Sequence, residues 1–182
     1  MNGQLQAPIG LIGRFTPEKL AEYYQSELMG RLIPNMEKFV VDHRRGGFMC
    51  EFDIATKVRL STDKRAWYEG RGIWFYSFLY NRLEADDRHL GIAAQSKDFI
   101  LPYIPEDKGF FPASFTREGQ VISGQGDIFG NLYIAEGLLE YGRAAAEPAY
   151  RAMGKDLLRK SLAICLEDGY RYAPFKEVAG GR

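Results

Sequence analysis

Residues 64–82 read KRAWYEGRGIWFYSFLYNR, an aromatic run of helical length with one arginine, Arg71, held between two glycines. At about 100° per residue, Trp67, Arg71, Trp74 and Phe78 fall on one face of such a helix, so Arg71 points where the aromatic stripe points. A buried guanidinium is costly unless it is paired, and a glycine in a helix interior costs about 1 kcal/mol relative to alanine. Gly70, Arg71 and Gly72 therefore break local rules together, which is commonest at functional sites. The same residues also fit a core arginine paired to a carboxylate, with glycines that admit a neighbouring helix. Spacing alone leaves both readings open. Residues 73–80 are apolar nearly all round, which suits a helix covered on several sides.

Outward from this stretch, helices alternate with short extended segments. A first helix starts at Thr16, a good N-cap, with Pro17 at its first position, and carries Leu20, Tyr23, Tyr24, Leu28 and Leu32. Pro34 kinks or restarts it, and the pattern resumes through Met36, Phe39 and Val40. Arg44-Arg45-Gly46-Gly47 ends it, and residues 48–53 with 57–60 read as a small hairpin. After the Arg71 helix, a third helix is predicted over about 87–101 and a second hairpin turns at Arg117-Glu118-Gly119. A fourth helix is predicted over about 126–141, and a fifth from Pro148 to about 168. Gly47-Phe48 and Gly109-Phe110 each open an aromatic hairpin that leads into an apolar helix. This faint repeat implies stacked units that share a core, with the second and fourth helices inside and the first, third and fifth outside. Residues 1–182 are expected to form one domain. The fifth helix has no inner partner before Ala179-Gly180-Gly181-Arg182, so the architecture looks cut short.

Charge excludes several classes of function. Lys plus Arg equals Asp plus Glu at 24 each, and the basic residues are scattered, so the chain carries neither a nucleic-acid footprint nor a polybasic membrane patch. No apolar run approaches membrane-spanning length, and the opening MNGQLQAPIGLIGRF lacks a basic leader region; the expected location is the cytoplasm. Cys50 and Cys165 lack the number for a disulfide framework and the spacing for a zinc site, and are read as reduced packing residues. Gly124-Gln125-Gly126 lacks the Lys and Ser/Thr of a phosphate loop. Asp127 and Asn131 lie four apart on one helical face, where they could bind sugar hydroxyls; Asp127 also fits an N-cap and Asn131 a local hydrogen bond. His43 and His89 read as surface or capping residues. Asp86-Asp87 and Glu106-Asp107 read as turn and cap charges, although a pair of acids could serve a glycosidase.

Arg44 to Phe48 (RRGGF), residues 63–74 (DKRAWYEGRGIW), Gly119 and residues 127–137 (DIFGNLYIAEG) together resemble the N-acylglucosamine 2-epimerase family, in family order, from about Leu20 onward. The resemblance implies an all-α fold, the (α/α)6 barrel of helical hairpins, of which this chain would be the N-terminal half with short β-hairpins between helices. It implies cofactor-free and metal-free epimerisation or aldose–ketose isomerisation of a ring-opened sugar or amino sugar. That chemistry removes a proton next to a carbonyl, and needs a base, an acid and a positive group where enolate charge develops. The family's arginine matches Arg71, which makes Trp67 and Trp74 candidate walls for sugar C–H faces. The family's catalytic histidines match neither His43 nor His89. The chain alone is therefore expected to lack turnover, and to self-associate through an exposed truncated face. A glycoside hydrolase on a similar helical barrel, or a non-catalytic carbohydrate-binding fragment, remains an alternative.

Overall fold

The computed structural model describes residues 12–106, 108–124, 126–168 and 170; the readings of the opening segment, of Asp107 and Gln125 and of the C-terminal glycines lie outside them. The chain divides into two compact units between Val41 and Asp42. In the first, α1 (Pro17–Glu27) begins where the sequence predicts, with the Thr16 hydroxyl accepting from Lys19 N at 3.3 Å. Pro34 has no N–H to give to the previous turn. The chain accommodates it with a π-helical turn at Leu28–Leu32, after which α2 (Ile33–Phe39) continues with the proline in its first turn.

The second unit holds α3 (Ala66–Arg82), α4 (Asp87–Ile100), α5 (Ile128–Ala144) and α6 (Pro148–Cys165), with a one-turn 3-10 helix at Leu101–Tyr103 after α4. Helices α3 and α5 run parallel and form its centre, with their contacts advancing together from Ala66 against Gly130, through Gly70 against Ile134, to Ile73 against Gly137. Asn81 closes the far end by donating to Glu140 Oε1 at 2.7 Å. Helix α4 packs against α3, and α6 against α5. Within this unit the expected layering holds, as two helical hairpins whose first helices are the inner ones. Ile73, Tyr76, Ile134 and Leu138 have no exposed surface, and Ala93 of α4 and Leu157 of α6 close over them.

Two glycines permit this close approach. A Cβ at Gly70 would overlap the main chain of Tyr133 and Ile134, and one at Gly72 would overlap the ring of Phe48. The glycines around Arg71 thus serve packing on two sides, toward α5 and toward the loop that precedes the first hairpin. The penalty that each imposes on the isolated helix is offset by apolar contact that only a bare backbone allows.

Sheet pairing departs from the sequence reading. Within residues 48–60 Phe52 bridges Arg59, and no strand forms. The three-stranded sheet is instead β1 (Lys64–Arg65), β2 (Ser114–Phe115) and β3 (Val121–Ser123), antiparallel in that order, so the residues just before α3 pair with the second hairpin. That hairpin turns at Gly119, whose φ of +97° suits glycine.

Lys64 anchors the junction. Its side chain is fully buried, with Nζ 3.2 Å from Asp42 Oδ2, 2.5 Å from the Gly46 carbonyl and 3.1 Å from the Arg117 carbonyl, and it lies 4.2 Å from the Phe99 ring centre. Arg117 forks onto Asp42 with Nε and a terminal nitrogen, both at 2.8 Å, and the Arg44 amide donates to the same carboxylate at 3.1 Å. Burial works to raise the Asp42 pKa, but the bonds from Arg117 and Lys64 prevail and hold it well below its ordinary value of 3.8. Breaking a buried pair from one side costs about 3–5 kcal/mol. Because Arg117 would still hold Asp42, Lys64→Met is expected at the low end, about 3 kcal/mol, measured by urea unfolding. A native pKa below the unfolded one gives stability that is complete above the unfolded value and lost as pH falls beneath it. The wild-type chain should accordingly lose this contribution only in acid.

Candidate functional site

The parallel arrangement brings the first turns of α3 and α5 side by side. Asp127 caps α5, its Oδ1 accepting from Gly130 N at 3.1 Å, and the same oxygen accepts from Trp67 Nε1 at 2.9 Å. One carboxylate therefore starts one helix and fixes the indole of the other. The Trp67 ring meets Phe129 and Tyr133 edge-on, with centroids 6.0 and 6.2 Å away. Arg71, one turn further along α3, is exposed and lies 5.6 Å from the centre of the Tyr133 ring. Trp67, Arg71, Phe129 and Tyr133 thus make one aromatic surface with a cation on it. Two helix N-termini add partial positive charge at the same end.

Arg71 is not the buried, paired arginine that its spacing also allowed. It is exposed and makes no salt bridge among the described residues. The buried face of α3 carries Glu69, Gly70, Ile73 and Tyr76 instead. Trp67 is 39% exposed, whereas Trp74 is half-buried and stacked on Phe78 at 5.0 Å. Asp127 is half-buried at the rim. Asn131 is 1% exposed; its side chain accepts from Phe111 N at 3.0 Å and donates to the Gly109 carbonyl at 2.9 Å, bracing the chain before the second hairpin.

The loop from Asp42 into the first hairpin borders this surface. Cys50 is a half-buried free thiol, pushed up to about 12 by burial and the nearby Glu69, with Arg71 and Arg59 pulling the other way. Cys165 is exposed, so it is no packing residue. His43 is exposed, as expected, but His89 is buried at 1% exposure, 6.0 Å from the Tyr76 ring between α3 and α4, so its reading as a surface residue is corrected. Its place as the third residue of α4 resembled a helix start, and only tertiary packing reveals the burial. Among the described residues no three His, Cys, Asp or Glu side chains converge as metal ligands, and no helix is long and apolar enough to cross a membrane.

Sequence reasoning missed two residues of consequence. Tyr133, which faces Arg71, lies in the same motif as Asp127 and Asn131 but off their stripe. Glu69 is fully buried two residues before Arg71, with Phe48 N donating to it at 3.0 Å and the Ser96 hydroxyl at 2.6 Å. An acid inside an otherwise aromatic run was the available signal.

No family model matches the chain. Among curated proteins it is similar to cellobiose 2-epimerase of Bacteroides fragilis, 26% identical over 132 residues that span 72% of this chain and 33% of that protein. It is also similar to human N-acylglucosamine 2-epimerase, 28% identical over 174 residues that span 87% of this chain and 39% of the other. These matches agree with the resemblance of the chain to the N-acylglucosamine 2-epimerase family. It spans a little over a third of the length of these relatives, consistent with the N-terminal part of the family. Solved structures agree on the fold. A sugar epimerase from a ruminal bacterium superposes with a TM-score of 0.69 at 23% identity, over 78% of this chain and 36% of that one. Cellobiose 2-epimerase from Bacillus thermoamylovorans gives 0.72 at 17% identity, over 83% and 39%. The helical hairpins described above thus share the fold of a portion of an (α/α)6 barrel.

The Trp67 geometry can be checked without any ligand. In single-tryptophan variants, the indole retained at position 67 should be quenched by acrylamide more strongly than the one retained at position 74. Asp127→Ala should increase that quenching further, and should cost about 1 kcal/mol of stability through loss of the cap. Equal quenching of the two indoles would contradict the rim position of Trp67.

Proposed function

We propose that this chain forms the arginine-bearing wall of a cofactor-independent sugar 2-epimerase or aldose–ketose isomerase, acting in the cytoplasm on a sugar or amino sugar. The carrying observation is the exposed guanidinium of Arg71 on an aromatic surface at the N-terminal ends of two parallel inner helices. Abstraction of a proton from the carbon beside a carbonyl moves negative charge onto the carbonyl oxygen. A fixed cation at that oxygen is worth most when water is partly excluded. Arg71 supplies the cation and its fork can meet two oxygens. Trp67 offers a flat apolar face to the C–H side of a sugar, held in place by Asp127. Trp74 lines the same stripe one turn deeper, and Asn131 supports the site by bracing residues 109–111.

Proton transfer needs groups that this surface does not offer. His43 lies on the exposed loop after α2, and His89 is buried between α3 and α4. The reading therefore gives this chain sugar binding without turnover. A glycosidase would need two available carboxylates. Near this surface Glu69 is buried and Asp127 is occupied by the cap and the indole, which favours the epimerase reading. The exposed side chains of Leu162 and Leu166 at the end of α6 support self-association of the isolated chain; light scattering should detect species above 20.7 kDa.

The test is incubation of the chain with cellobiose, glucose or N-acetylglucosamine in deuterated water, read by NMR at C2 alongside tryptophan fluorescence. The expected result is a sugar-dependent change in Trp67 emission that Arg71→Ala abolishes, with no deuterium at C2. In a chain completed to barrel length, Arg71→Ala should lower turnover by about 10²-fold to 10³-fold, the scale for one transition-state donor. Sugar binding unaffected by Arg71→Ala would overturn the role of Arg71. Release of reducing sugar without exchange would favour the hydrolase.

A further inference from the structure

Glu69 is the buried titratable group that the proposed chemistry leaves unused. It sits on α3 with no exposed surface and joins three elements. Its Oε1 accepts from Phe48 N at 3.0 Å, and its Oε2 lies 2.6 Å from Ser96 Oγ on α4. Gly47, at φ +79°, presses its bare backbone against the carboxyl group, since a Cβ there would stand 2.6 Å from Oε2. We propose that Glu69 is a proton-operated latch, which clamps the loop 42–50 beside Arg71 when neutral and loosens it when ionised.

The neutral acid satisfies every polar atom of the cluster. Oε1 accepts from the Phe48 amide; the Ser96 hydroxyl, which donates to Oε2 in the structure, can turn to the carbonyl of Glu69 itself, 3.5 Å away, and accept the carboxyl proton instead. An ionised Glu69 would be a charge without exposed surface, and such charges need a partner. The charged and titratable groups facing it are Lys64 of β1 and Asp42 and Cys50 of the loop. Lys64 is already bound to Asp42 and to two carbonyls, and Asp42 repels a second carboxylate. Helix α4 contributes only the neutral Ser96 to the cluster. Burial pushes Glu69 up from 4.5 to about 7, against the opposing pull of Ser96, the Phe48 amide and Lys64. The latch therefore works in the neutral range.

The mechanical consequence follows from the packing. Withdrawing the loop hydrates the carboxylate, and it lifts the Phe48 ring from Gly72 and moves Cys50 relative to Arg71. The sign is set by the raised native pKa. The stabilisation from Glu69 is complete below its unfolded value of 4.5 and is lost as pH rises through about 7. Asp42 acts in the opposite direction and only in acid, so the two windows are separate.

The latch acts on the loop and is measured without sugar, so its failure is distinguishable from failure of the epimerase reading. The experiment follows side-chain carboxyl resonances by NMR across pH, together with hydrogen exchange of the Phe48 amide corrected for its intrinsic pH dependence. It compares the full chain with Glu69→Gln, which keeps an acceptor for Phe48 N and a donor for Ser96 without a titrating proton. In the wild-type chain one glutamate should titrate near neutrality, and Phe48 protection should fall by about tenfold between roughly pH 6 and pH 8. In Glu69→Gln both effects should be absent. Protection that is independent of pH, or that falls equally in the variant, would overturn the latch. If the variant does not fold, the wild-type carboxyl titration decides, and the absence of any glutamate titrating above the ordinary carboxylate range overturns it.

Discussion

The buried contact of Lys64 with Asp42 sets the frame on which the second unit depends. Three segments far apart in sequence, the loop after α2, the strand before α3 and the turn of the second hairpin, converge on one ammonium group. An isolated buried lysine would lose its proton or draw in water. Here a carboxylate, two carbonyls and an aromatic face surround it, and Arg117 completes the charge balance from the half-exposed side. Because the donors and acceptors come from different elements, none of the three segments can move without leaving a buried charge short of partners. That restraint holds Gly46 against Gln95 of α4 and Gly47 against Glu69 of α3, and seats Phe48 over Gly72.

The helices were legible because their signals are local. Thr16-Pro17, Asp86, Asp127 and Pro148 each mark a start that the structure keeps, and the apolar run of α3 was rightly read as covered on several sides. The sheet was not legible, since strands of two or three residues show no alternation and β1 finds its partner about fifty residues later. The charged residues divide in the same way. Helical phase correctly put Arg71 on the face of Trp67, yet phase cannot say whether that face meets protein or solvent. Nor could it foresee that Asn131 would be bound to the main chain of residues 109–111, that His89 would be buried, or that Glu69 would be closed in by a loop arriving from twenty residues upstream. The family resemblance carried what periodicity could not, because ordered motifs encode the long-range packing.

The glycines around Arg71 show how a local weakness becomes a positional device. Gly70 lets α3 meet the backbone of α5, and Gly72 lets a phenylalanine lie against α3. A residue between two such contacts has its backbone fixed on both sides while its own side chain stays outside the packed layers. Arg71 is that residue, and the Tyr133 ring gives its guanidinium a preferred resting place without the desolvation that a buried ion pair would impose. A carboxylate partner would hold the arginine just as firmly but would cancel the charge that the proposed enolate stabilisation needs. An aromatic partner orients the cation and leaves its charge available. With no salt bridge to Arg71 among the described residues, its charge stays available for the electrostatic role proposed for it, while Asp127 spends its negative charge on a helix N-terminus and an indole N–H.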